Sequence, residues 1–136
     1  DLCEGRYTTR GWTEWTQGFQ YGCQLLQFDA TGEEGFLTMA KDNIHCHMPN
    51  HLTHMGVHDH GFNNVSTYGN LWRLAREGRI DAPEDAVRLY ELALRVSGAV
   101  QAARWTDGTL HVWAAHRTKV PGSVPPSGVR YDYLIE

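Results

Sequence analysis

Cysteine is scarce in this 136-residue chain: Cys3, Cys23 and Cys46 are the only three. That number is too small and odd for a disulfide framework, and no pair has zinc-site spacing, so a reducing, cytoplasmic location is expected, with the periplasm as the alternative. No apolar run is long enough to cross a bilayer and no signal-peptide pattern opens the chain, so no membrane partner is expected. Lys and Arg never cluster beyond a residue or two, and the formal net charge is −4 with a pI near 6.0. This excludes nucleic-acid binding through phosphates. A short anionic sugar is a different partner, because one or two placed donors can hold it. What is left fits one domain, since a chain of this length buries about two thirds of its unfolded surface.

Apolar periodicity predicts an all-α chain with one short β excursion. A first helix is expected over 16–29, carrying Phe19, Tyr21, Leu25, Leu26 and Phe28 around the small Gly22 and Cys23, and Ala30-Thr31-Gly32 ends it. A second runs from Glu33 to about His47 and stops at Pro49-Asn50. A third is predicted over about 64–77, closed by Gly78. The fourth begins at Asp81 and Pro83 and carries Leu89, Leu92, Val96, Val100 and Ala103 along one face. Asp107-Gly108 turns the chain into an alternating strand over 109–115.

The helices form two pairs, and the pairs repeat. Gly18-Phe19 and Gly61-Phe62 open units 43 residues apart, each with a second helix entered through acidic residues. A repeat of helical hairpins implies stacking into a toroid or solenoid, in which each unit buries its apolar face on the next. Two hairpins cannot close such an array, and the chain runs to Tyr131-Asp132-Tyr133-Leu134-Ile135-Glu136 without a stop signal. The expectation is a piece of a larger protein.

The candidate chemistry lies in Val57-His58-Asp59-His60-Gly61-Phe62, a carboxylate between two imidazoles just ahead of a helix. Upstream, Trp12-Thr13-Glu14-Trp15-Thr16-Gln17-Gly18-Phe19 adds two indoles of the kind that stack on sugar faces. Asp59 also has a structural reading as a helix cap. His47, His51, His54 and His58 fall at i, i+4, i+7 and i+11, a spacing that invites a transition metal on an unbroken helix, but Pro49 and Gly56 interrupt it. The expectation is no metal, with these imidazoles hydrogen-bonded in a tight connection.

Trp15-Thr16-Gln17-Gly18-Phe19, Asp29-Ala30-Thr31-Gly32, His58-Asp59-His60-Gly61-Phe62 and Leu110-His111-Val112-Trp113 resemble, in order and spacing, the unsaturated uronyl hydrolases of glycoside hydrolase family 88 and the related family 105. The resemblance covers about residues 12–116. It implies a glycosidase built as an (α/α)6 toroid of six hairpins, of which this chain would form part, with self-association possible through the open barrel edge. The implied reaction is hydration of the C4=C5 double bond of a terminal unsaturated uronic acid in an oligosaccharide, by carboxylate acid/base catalysis and with no cofactor or metal. Asp59 then matches the family's catalytic Asp, and His58, Trp15 and Trp113 match substrate-binding positions. Glu136 stands where the second carboxylate is expected, with Asp132 as the other option, and Arg130 beside it is a candidate for the uronate carboxylate. The alternatives are a non-catalytic helical-repeat module that binds saccharide and a His-rich metal-binding protein.

Overall fold

Two helical hairpins laid side by side carry the described part of the chain. The computed structural model describes residues 2–7, 15–55, 57–103, 105–106 and 109–110. Helix α1 spans Gln17–Thr31 and stops at Gly32, whose φ of 74° lets its N–H reach back to Phe28 O at 2.7 Å, a turn that costs a residue without Cβ little. Helix α2 spans Glu34–His47, and Pro49 converts the chain to a 3-10 turn over Pro49–His51. The third helical rod starts with a π-wound stretch over Gly61–Gly69 and continues as α3 over Asn70–Arg76. Helix α4 is Glu84–Ala103. Two antiparallel two-residue ladders complete the described elements: β1 (Leu2–Cys3) with β2 (Arg6–Tyr7), and β3 (Trp105–Thr106) with β4 (Thr109–Leu110).

The contacts give the directions. Tyr21 stacks on His47 and Gln24 bonds Asn43, so α2 returns antiparallel along α1. Asn64 bonds Ser97 while Tyr68 meets Tyr90, so α4 returns along the third rod. Between hairpins the order ascends together, Gly18 against Asn63, Gly22 against Ser66 and Asp29 against Arg73, so α1 and the third rod run parallel. Leu25, Ile44, Met48, Leu71 and Leu74 are fully buried among the four helices. Each such side chain contributes about 1.5–3 kcal/mol of burial.

Asp29 ties the far ends of the parallel pair. Its Oδ2 accepts from Arg73 Nη2 at 2.7 Å, and Arg79 Nη1 lies 2.8 Å from Oδ1. The hydrogen bond from Arg73 holds the Asp29 carboxyl below its ordinary range, against a smaller opposing push from desolvation. A carboxyl with a lowered folded value stabilises the protein above the unfolded value of about 4 and loses that contribution as pH falls through the folded value. Asp29→Asn is therefore expected to lower Tm at pH 7, with the gap to the parent shrinking in thermal melts below about pH 4.

Three expectations need correction. The third rod begins at His60, four residues before the position read from periodicity, because its first turns are π-wound. Asn70 N–H bonds Val65 O, five residues back, while Thr67 Oγ1 and Asn70 Nδ2 take the carbonyls of Asn63 and Ser66, four residues back. Side-chain donors thus occupy acceptors that an α-ladder would use. In α4, Leu89 and Leu92 are about half exposed, and the buried face is Tyr90, Ala93 and Ser97. Small residues let α4 approach the polar π-wound segment, which turns the leucines outward. The β excursion is wider than expected: Thr109–Leu110 is a strand as read, but it pairs with a strand at Trp105–Thr106 that the sequence reading left out, and residues 111–115 lie outside the described residues.

Candidate functional site

The parallel packing brings the starts of α1 and the third rod to one end of the molecule. Trp15, in the turn before α1, packs edge-on to Phe19 at 6.3 Å and against Phe62 at 6.3 Å, and Phe19 and Phe62 lie 5.1 Å apart. All three rings stay 40–48% exposed, so this end presents an aromatic surface to solvent. Asp59 immediately precedes the rod, and its carbonyl accepts the Asn63 N–H at 3.1 Å. Its half-buried carboxylate lies 3.5 Å from His58 Nε2. His58 can therefore steady the carboxylate when the imidazole is protonated.

Behind this surface is a polar layer in the core. His60 Nε2 lies 2.7 Å from His54 O, an acceptor, so Nε2 carries the proton. In the neutral ring Nδ1 then accepts from Ser97 Oγ at 2.9 Å, and Ser97 accepts from Asn64 Nδ2 at 2.9 Å. Asn64 Nδ2 also donates to His51 O. One turn further along α4, Gln101 Nε2 donates to His58 O. Ser97 and Gln101, four apart on one helix, thus hold both sides of Asp59. His60, Asn63, Asn64, Thr67 and Ser97 are all buried. Removing one partner of such a layer leaves the others desolvated and unmatched, a loss of about 1–3 kcal/mol each.

His51 extends the layer to α1. It is 1% exposed, and its Nε2 donates to Gln17 Oε1 at 2.8 Å while Gln17 Nε2 donates to Tyr21 Oη. Burial, with smaller contributions from the neighbouring His54 and His60, pushes its pKa down to about 4. The unfolded chain takes up this proton near pH 6.5, before the folded protein does, so stability is full above pH 6.5 and falls toward pH 4. The loss is expected to be roughly 2 kcal/mol once solvent screening is discounted, read as the urea midpoint against pH. His51→Gln should flatten that slope.

Asp59 and His58 lie just ahead of the third rod and Trp15 just ahead of α1, at the end where Trp15 meets Phe62; Trp113, Arg130, Asp132 and Glu136 lie outside the described residues. The histidines at 47, 51, 54 and 58 share no helix, since α2 stops at His47, whose ring stacks on Tyr21. Among the described residues no three His, Cys, Asp or Glu side chains are grouped to hold a metal. Sequence reasoning placed His60 beside Asp59 without its core partners, and it missed Asn63, Asn64, Ser97 and Gln101. The signal available for them was the Asn63-Asn64 pair inside an apolar pattern. A separate groove of about 430 Å³ runs along the flank between the third rod and α4, lined by Val65, Gly69, Trp72 and Leu94 among others. No helix among the described residues is long and apolar enough to cross a membrane. No protein-family model, curated protein or solved structure matches this chain.

Proposed function

We propose that the chain is part of a glycoside hydrolase that hydrates the C4=C5 double bond of a terminal unsaturated uronic acid. The observation that carries this reading is the pairing, at one end of two parallel helical rods, of a half-buried carboxylate with an exposed aromatic surface. A pyranose is apolar on its ring faces and polar at its edge, so it can stack on Trp15 while its edge meets Asp59 and His58. Vinyl-ether hydration needs a proton delivered to C4 and a water added at C5, and one carboxyl can give the first and then assist the second. The C5 adduct is a hemiketal that opens and frees the next sugar. No step in this scheme requires a cofactor or a metal.

The side-by-side hairpins, with like helices parallel, are the arrangement an (α/α)6 toroid repeats, which supports reading this chain as part of such a barrel. The groove on the α3–α4 flank is the edge at which a further hairpin or a second copy would dock. In that reading Trp113, Arg130 and Glu136 or Asp132 complete the substrate site. The test is loss of double-bond absorbance with an unsaturated uronyl disaccharide, run on this chain and on one extended well past Glu136. The extended chain should be the better catalyst by at least tenfold, since acid/base geometry tolerates little misplacement. Saccharide binding without turnover in both would favour a non-catalytic module.

A further inference from the structure

We infer that Asn63 is a positioning residue that fixes the aromatic surface against Asp59, an inference that rests on the proposed saccharide site. Helix α1 begins without a cap of its own: Thr16, at the cap position, makes no side-chain hydrogen bond to the helix. The acceptor for the first turn comes from the other hairpin, because Asn63 Oδ1 accepts the N–H of Gly18, the second residue of α1, at 3.0 Å. The same Asn63 donates its own N–H to Asp59 O at 3.1 Å, and its carbonyl accepts from Thr67 Oγ1 at 2.6 Å. Asn63 is 1% exposed. One buried residue thus joins the backbone of Asp59 to the start of the helix that carries Phe19 and follows Trp15.

At this end of the pair the backbones meet directly, whereas the Asp29 ion pairs act at the far end. A Cβ on Gly18 would lie 2.3 Å from Asn63 Cα, so the two backbones already touch, and the Phe19 and Phe62 rings beside this contact follow its position. Asp59 itself is held from the opposite side by Gln101 on His58 O and by Ser97 on His60. Loss of the Asn63 side-chain acceptor therefore loosens Trp15 and Phe19 while the Asp59 turn stays in place. The kinetic consequence is weaker substrate binding with turnover of bound substrate largely kept.

The experiment compares the parent with Asn63→Ala and Asn63→Asp, the second retaining an acceptor for Gly18 N–H. Proton exchange of the Gly18 amide, the 19F resonance of fluorotryptophan at position 15, and KM and kcat on an unsaturated uronyl disaccharide are read on each. Asn63→Ala is expected to raise KM about tenfold with kcat within about threefold, to speed Gly18 exchange at least tenfold and to shift the Trp15 resonance, and Asn63→Asp to restore all three. If Asn63→Ala does not fold, Asn63→Ser, whose hydroxyl is too short to reach Gly18, carries the same comparison. Unchanged Gly18 exchange and Trp15 resonance in a folded variant overturn the inference. So does an equal fall in kcat and kcat/KM. KM and kcat are read on the chain extended past Glu136, and absence of turnover there refutes the proposed reaction alone, since the exchange and fluorine signals still decide the role of Asn63.

Discussion

Asp59→Asn should lower turnover of an unsaturated uronide by about 10²–10⁴-fold, the usual share of a positioned general acid/base, while leaving the fold intact. Asn keeps the size of the side chain and can still face His58, but it can neither deliver a proton to C4 nor accept one from water. The fold should tolerate the change because the bond that anchors the start of the third rod uses the Asp59 carbonyl, not its carboxylate. The turn is also held from α4 through His58 O and His60 Nδ1. Far-UV circular dichroism and a urea midpoint near that of the parent would establish this. Loss of activity together with loss of fold would assign Asp59 a structural role; unchanged activity would remove it from the site.

Gly18→Ala should be the most destabilising single-methyl change in the described chain, by about 3 kcal/mol or more. Its Cβ would fall 2.3 Å from both Asn63 Cα and Phe62 O and 2.6 Å from Asn63 O. These are backbone atoms of a packed rod and cannot swing aside as a side-chain tip would. Gly22→Ala should follow, with Ser66 O at 2.8 Å. Gly98 in α4 is the internal control, since a Cβ there meets nothing within 4 Å. Gly98→Ala should stabilise by about 0.5–1 kcal/mol through helix propensity. Urea unfolding of the three variants checks the order, and a tolerated Gly18→Ala would contradict the close approach of the two rods.

The parts of this fold legible in the sequence are those written in hydrophobic period and in Gly or Pro punctuation. Leu37, Ala40 and Ile44 face the core as their spacing implies, and Gly32 and Pro49 stop α1 and α2. The Gly-Phe repeat marks the two helix starts that meet, Phe19 against Phe62. The phase of α4 was not legible, because Leu89 and Leu92 outweigh Ala93 and Ser97 on any hydropathy scale although a polar neighbour selects the small residues. The π-wound segment was hidden for a related reason: its winding depends on side chains bonding carbonyls four residues back, which periodicity does not register. Of the site, Asp59, His58 and Trp15 stand out by residue type. The polar layer behind them does not, since Asn64, Ser97 and His60 gain meaning only when the third rod and α4 meet.

The measurement that tests the central claim most directly is sugar release from two disaccharides that differ only at C4–C5 of the terminal uronic acid, one unsaturated and one saturated. Each is incubated with the chain extended past Glu136, and the released sugar is quantified alongside the double-bond absorbance. Hydration predicts release from the unsaturated substrate in step with loss of absorbance and none from the saturated one, which has no double bond to protonate. Equal release from both, or release with the absorbance unchanged, would contradict it.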